Sequence, residues 1–410
     1  MKIVVFNFGC KVNQYESDVL INLLEQRGHE VSTTLKYADC YIINTCAVTN
    51  EAERKSRQAI SRVKHFNKNA KIFICGCASE KNSEQFIKKE NVVTVKGVAN
   101  KYQLVNLIEE GENVEPLPTV FEDGVAKTTR TRSYIKIQDG CNNFCSYCII
   151  PYLRGRSRSR QIYSILSEIN SLKDVHEVVL TGIDISSYGL DINTNLVELV
   201  NSLKDCNYRI RVGSFEVRVI SRELLQALKS LKNFCPQFHL SLQNGDKSVL
   251  KSMNRRYTPD EYYSKICLIR EYFPNASITT DIIVGFPTET DLAFKNTLEF
   301  VKKVEFYNVH IFPYSAREGT VAYKKYKMLD KQIVSNREEQ LKKIKEDCKI
   351  KYEKQFVGKT VEVLVEDVEN NYKVGYTKEY IKVYCNSNLP QNTLQNIKIT
   401  GLYLDGLKGE

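Results

Sequence analysis

Cys141, Cys145 and Cys148 lie in the stretch GCNNFCSYCIIPYLRGRSRSR, three thiols within eight residues, with Arg154, Arg156, Arg158 and Arg160 following at alternate positions. Thiolates at C-x3-C-x2-C spacing can hold three corners of a cubane iron–sulfur cluster and leave one iron open to a substrate. A structural zinc site usually takes a fourth cysteine or histidine, commonly in paired C-x2-C units. No histidine follows within this loop. Three unrelated buried thiols are the remaining reading.

A second trio emerges from the elements that must position it. Residues 1 to about 108 alternate short apolar runs (KIVVF, CYIIN, KIFIC, VVTVKG) with helix-like stretches such as SDVLINLLEQRG. This is the pattern of a parallel sheet with crossover helices. Cys10 follows KIVVFNFG, Cys46 follows CYIINT and Cys77 follows KIFICG, so each is expected just past a strand end. In an open parallel sheet those ends meet at one crevice, which would gather three thiolates from distant parts of the chain. The alternative is ordinary buried cysteine near strands. Cys40 and Cys75 fall inside the runs and read as core thiols.

The alternation resumes from Tyr134 with strands expected at YIKIQ, EVVLTG, YRIRVG, FHLSLQ, ITTDIIVGF and FYNVHIFPY. Six such units suggest a partial (β/α) barrel, with functional residues beyond the strands' C-terminal ends. Residues 322–354 read as a charged helix, with eleven basic and six acidic side chains. The tail, with VEVLVEDV, GYTKEYIKVYC and NIKITGLYL, reads as a small β-barrel. The expected fold is α/β in three parts: an open parallel-sheet domain over 1–109, a barrel with its charged helix over 133–354, and a β-barrel over 355–410. The Pro- and Gly-containing stretch 110–132 is expected to be a linker.

Thirteen cysteines in 410 residues are too few for a disulfide scaffold, so clustered thiols point to metal in a reducing, cytoplasmic setting. No window is apolar enough for a membrane span, and the N-terminal run is broken by Asn7 and Lys11, unlike a secretory signal. The formal charge of +10 favours a polyanionic partner. Residues 51–71 hold seven basic and two acidic side chains, and the arginines from 154 to 160 could fork onto phosphates. A solvated basic surface is the alternative. From Gln355 onward six lysines face seven acids, so that part offers no net attraction to nucleic acid.

C-x3-C-x2-C after the first barrel strand resembles the radical S-adenosylmethionine enzymes. Taken with FGCKVNQYES, NTCAVTNEAERKSRQ, CGCASE, LTGIDISSYG, HLSLQNGDKSVLKSMNRRYT, TTDIIVGFPTET and FPYSAREGT, the chain resembles the methylthiotransferases along essentially its whole length. The resemblance implies two [4Fe-4S] clusters, one on Cys141, Cys145 and Cys148 and an auxiliary one on Cys10, Cys46 and Cys77, each with a free iron facing the other. It also implies S-adenosyl-L-methionine in two roles, as methyl donor and as radical source, and a C-terminal TRAM barrel. Such chemistry suits hydrogen removal from a carbon with no acidic proton.

By the same resemblance Tyr147 lies where a ring covers the adenine. Strand-end position adds further cofactor candidates: Gly182 for close backbone approach, Glu216 for the ribose hydroxyls, Gln243 and Arg256 for polar atoms, and Val284 against adenine. Each could instead serve the barrel itself. The implied substrate is the tRNA anticodon stem-loop, most like the threonylcarbamoyl-adenosine type, with an electron donor such as flavodoxin or ferredoxin. Isopentenyl-adenosine or a ribosomal protein is the alternative target, and a non-catalytic metal-stabilised RNA-binding module is the alternative of another class.

Overall fold

The computed structural model describes residues 1–99, 101–110, 121–126 and 131–410. Its first part is a five-stranded all-parallel sheet of β1 (Lys2–Asn7), β2 (Glu30–Ser32), β3 (Cys40–Thr45), β4 (Lys71–Gly76) and β5 (Val92–Val95), in the order β2-β1-β3-β4-β5. The continuous apolar runs are explained by cover on both faces: all six residues of β3 are buried. Alternation sends Tyr41 and Ile43 into one core with Ile60 and Val63 of helix α2 (Asn50–Lys64). Ile42 enters the other with Leu20 and Leu24 of helix α1 (Lys11–Gln26). Thr49 caps α2 by accepting from the Ala52 N–H, and Glu51 and Glu53 in its first turn suit the helix dipole.

Two three-stranded parallel sheets follow: β6 (Arg132–Lys136), β9 (Glu177–Thr181) and β10 (Arg209–Val212), then β11 (Gln237–His239), β12 (Ser277–Val284) and β13 (Asn308–Pro313). A minor two-stranded ladder pairs β7 (Gln138–Asp139) with β8 (Arg158–Ser159). Backbone bonds from Ile210 N to Asn233 O and from Phe215 N to His239 O join the two sheets into one open barrel. Ile135, Val178, Ile210, Phe238, Ile282 and Val309 point outward into one helix-covered core. The alternate positions, including Glu177, Arg211, His239, Asp281 and His310, therefore face the lumen. This interior is charged, unlike a barrel filled with branched aliphatics.

The expected charged helix over 322–354 is two pieces, Val321–Lys325 and Lys331–Lys354. The break falls where the Asp330 side chain accepts from the Gln332 N–H and starts the long helix afresh. Of the expected linker 110–132, residues 111–120 and 127–130 lie outside the described residues. Its segment 121–126 packs between modules, with Gly124 O accepting from the Tyr15 hydroxyl at 2.6 Å and Ala126 N donating to Glu168 at 2.7 Å.

The C-terminal part is a closed barrel of β14 (Thr360–Glu369), β15 (Tyr372–Thr377), β16 (Lys382–Cys385), β17 (Thr393–Tyr403) and β18 (Gly406–Gly409). It docks on the starting ends of the central strands. Arg132, first in β6, pairs with Glu366, and Arg209, first in β10, pairs with Glu362 at 2.8 Å. Ser277, first in β12, donates to Glu379 O at 2.5 Å. The Arg211 guanidinium lies over the Tyr380 ring, 4.2 Å from its centroid. The terminal barrel thus covers the N-terminal mouth of the lumen, and access is by the opposite mouth, beside the parallel-sheet domain. No described helix is long and apolar enough to cross a membrane.

Candidate active site

Cys141, Cys145 and Cys148 occupy the loop after β7, at the C-terminal mouth of the barrel. The loop closes on itself through Cys141 N to Gly155 O at 3.1 Å and Cys148 N to Cys145 O at 3.0 Å. Gly140 enters it at φ +71°, and a Cβ there would meet Arg156 O at 2.0 Å, so only glycine fits. Burial, with the adjacent Cys145 and Cys141, pushes the Cys148 thiol up to about 12. Asn143 donates to Cys141 Sγ from its backbone at 3.4 Å and its side chain at 3.6 Å. Arg255 donates to Cys145 Sγ at 3.5 Å. These donors are the outer contacts that orient sulfurs toward a bound metal.

Cys10 caps α1, Cys46 follows β3, and Cys77 opens the short helix α3 (Cys77–Lys81). The sheet gathers all three at one crevice. Burial pushes the Cys46 thiol up to about 12, with Cys77 and Cys10 both near enough to contribute. Gly76 makes the turn into Cys77 at φ +104°, where a Cβ would meet Thr45 O at 2.4 Å. Cys40 and Cys75 are buried in the sheet, as core thiols should be.

The two trios face each other across one seam. Arg154 donates from Nε to Cys77 Sγ at 3.3 Å, while the next residue, Gly155, accepts from Cys141 N. The Arg317 guanidinium interacts electrostatically with both Cys46 and Cys148. Beneath the seam, Glu16 of α1 meets Lys101, Lys136 at 3.0 Å and Arg154 at 2.9 Å. Asp139 takes Lys136 at 2.7 Å and Arg154 at 2.9 Å. Burial pushes the Glu16 carboxyl up, but Arg154, Lys101 and Lys136 hold it well below the usual range.

That network corrects the expectation for the arginines. Arg154 is 1% exposed and Arg158 and Arg160 are also buried, so none of them reaches a phosphate. Arg158 donates to Arg154 O and Arg156 O at 2.8 Å, and Arg160 holds Glu168, Tyr15 and Gly124 O. Arg154 ends the short helix Ile150–Arg154, the chain turns at Gly155, and Arg158 opens the two-residue β8, so no single strand phase orients the four side chains. Arg156 alone is exposed, over the Phe144 ring at 4.7 Å.

The cofactor candidates divide similarly. Glu216 is buried at the mouth; its Oε2 accepts from Arg218 at 2.6 Å and its Oε1 has no hydrogen-bond partner. Tyr147 is half-buried against the cluster of Met253, Phe286 and Tyr314. Gly182 is closely approached, but by protein: a Cβ would meet Gln138 Oε1 at 3.0 Å. Gln243 sits at φ +72°, its backbone bonded to Asp281 O and Ile283 N at 2.8 Å. Val284 is fully buried in the outward core, so it cannot line the mouth; Ile283, one residue earlier, packs near Tyr147 instead. Arg256 is exposed, on a shallow outer hollow with Lys247, Lys251 and Glu261. Its neighbour Arg255 holds the thiol, braced by Tyr257 Oη and Ser241 O at 3.0 Å each. Arg255, Arg317 and Asp184, whose Oδ2 accepts from Asn143 at 2.8 Å, carried no signal of their own in the sequence beyond lying in the recognised stretches.

Residues 2–97 match uncharacterized protein family UPF0004, and residues 135–301 match the radical SAM superfamily. The threonylcarbamoyladenosine tRNA methylthiotransferase MtaB of Thermotoga maritima is 38% identical over 393 residues, 92% of this chain and 89% of that one. The chain belongs to the methylthiotransferase family of radical S-adenosylmethionine enzymes. The MtaB of Bacillus subtilis is 34% identical over 93% of this chain and 90% of its own. A tRNA-2-methylthio-N(6)-dimethylallyladenosine synthase from Thermodesulfovibrio yellowstonii is 33% identical over all of this chain and 98% of its own. Among solved structures, the radical S-adenosylmethionine methyltransferase TsrM from Kitasatospora setae shares the fold, with TM-score 0.57 and 16% identity over 76% of this chain and 74% of that one. A radical methylthiotransferase uses a [4Fe-4S] cluster and S-adenosylmethionine. The residues present fit them: three converging thiols offer an open iron, and the orphaned Glu216 oxygen beside them awaits a hydroxyl donor.

Proposed function

We propose that this methylthiotransferase acts on tRNA, converting N6-threonylcarbamoyladenosine next to the anticodon to its 2-methylthio derivative. The observation that carries the reading is the meeting of two three-thiol groups across one seam. One cluster for radical generation explains Cys141, Cys145 and Cys148; a second [4Fe-4S] cluster on Cys10, Cys46 and Cys77 explains why another trio is held facing it. Bound there, the radical cluster and S-adenosylmethionine supply hydrogen abstraction from a carbon that no base can deprotonate.

The chain's own residues bind and orient. Glu216 Oε1 takes the ribose hydroxyls, Tyr147 covers the adenine, and the backbones near Gly182 and Gln243 border the cofactor. Arg255 steadies Cys145, and Arg317 and Arg154 neutralise charge between the trios. Arg156 and exposed cations of α2 such as Lys55 would meet the phosphates of the anticodon stem-loop. An electron donor such as flavodoxin or ferredoxin supplies the reducing electrons.

The threonylcarbamoyl target rests on the MtaB relatives; the dimethylallyl-type relatives, at 33% identity and upward, make isopentenyl-adenosine the second reading. Mass analysis of tRNA nucleosides from a deletion strain separates the two. Loss of the 2-methylthio mass from the threonylcarbamoyl nucleoside alone is expected. Loss from the isopentenyl nucleoside, or from neither, would overturn the assignment.

A further inference from the structure

The barrel lumen holds a constellation that neither thiol trio uses. His239 on β11, Asp281 on β12 and His310 on β13 come from three adjacent parallel strands, and their ligand atoms lie within 4.8 Å of one another. The register puts Asp281 directly opposite His310 and His239 opposite Thr279, so the three side chains share the lumen face. His239 Nε2 stands 3.2 Å from Asp281 Oδ2. That is close to the ~3.3 Å edge of a tetrahedron built on bonds of about 2.0–2.1 Å.

We infer that His239, Asp281 and His310 form a binding site for one divalent first-row transition ion of the zinc class. Two imidazoles and one carboxylate are the donor set of open, three-ligand sites. The outer contacts are those such a site needs. His239 Nδ1 lies 3.0 Å from Thr279 Oγ1, which also accepts from Gln237 Nε2 at 3.0 Å, so the ring is oriented with Nε2 toward Asp281. The Asp281 backbone is pinned on both sides, its carbonyl accepting from Gln243 N at 2.8 Å and the next strand residues paired to β13. His310 is exposed, which leaves an entry path and room for further donors. The three side chains face the barrel lumen, and further coordination positions would open there. Those positions would take oxygen donors, carboxylate or hydroxyl, from a ligand arriving by the open mouth.

The site is distinct from both trios in residue and in donor type, which makes it separable by experiment. The full chain, with its iron–sulfur clusters reconstituted to about eight irons, is incubated with zinc, gel-filtered and analysed for metals. About one zinc per chain is expected, with Asp281→Asn and His310→Ala each losing most of it while iron is unchanged. His310 is exposed and Asp281→Asn is isosteric, so both variants should fold; unchanged iron content shows that they do. X-ray absorption at the zinc edge should show nitrogen and oxygen neighbours at ~2.0–2.1 Å. Zinc retained equally by wild type and both variants, no zinc in the wild type, or a sulfur shell at ~2.3 Å would overturn the inference.

Discussion

Arg154 and Arg156 are two residues apart and do opposite things. Arg154 is sealed between Glu16 and Asp139, with Asn13 and Cys77 completing its contacts. Arg154→Ala strands two buried carboxylates among fewer cations, a loss of roughly 3–5 kcal/mol in the range for breaking a buried pair. Its melting temperature should fall sharply. Arg156→Ala removes an exposed cation and its contact with the Phe144 ring, so melting should fall far less than for Arg154→Ala while the salt dependence of tRNA binding weakens by about one counterion. Equal effects of both substitutions on melting would contradict the placement. The spacing of Cys141, Cys145 and Cys148 was legible because three corners of a cubane dictate it, and the convergence of Cys10, Cys46 and Cys77 because an open parallel sheet gathers its strand ends. Which arginine faces solvent was not, since that depends on buried partners elsewhere in the chain, Glu16 and Asp139 for Arg154 and Glu168 for Arg160.

The strands set phase, and phase is where single residues go astray. Val284 and Ile283 face opposite sides of β12 because successive side chains in a strand alternate, so a one-residue error in phase moves a side chain from the mouth to the core. The order of elements, by contrast, could be read from the apolar runs, and all six central strands occur where those runs lie. Turns are equally strict: Gly140 at φ +71° is pressed against Arg156 O. Gly140→Ala should cost roughly 1–3 kcal/mol of local strain and move the Gly155–Arg156 backbone that anchors Cys141. Iron content after reconstitution should drop by about half, the remainder being held by the other trio. Full iron with unchanged melting would show that the loop tolerates a side chain.

At the scale of the whole molecule, the lumen is covered at one end by the terminal barrel and faces the parallel-sheet domain at the other. Glu177 is central to the covered end. Burial pushes its carboxyl up, but Arg211 at 2.9 Å and Arg132 outweigh this and bring it down to about 2. A folded value below the ordinary 4.5 means that this carboxylate stabilises the fold above pH 4.5 and that the contribution is lost as pH falls toward 2. Glu177→Gln should therefore lower the melting temperature at pH 7, and the gap from wild type should narrow between about pH 5 and pH 3. A gap independent of pH would place the carboxylate's partners elsewhere. This contact surface joins residues 102 to 248 positions apart, and no local pattern in the chain announces it.

The central claim is that two thiol-held clusters meet across one seam and divide the chemistry between them. Cys46→Ala, reconstituted anaerobically and assayed with tRNA, tests it most directly. Iron should fall from about eight to about four per chain, reduction should still release deoxyadenosine from S-adenosylmethionine, and no methylthio nucleoside should form. Undiminished methylthio product from that variant would contradict the account.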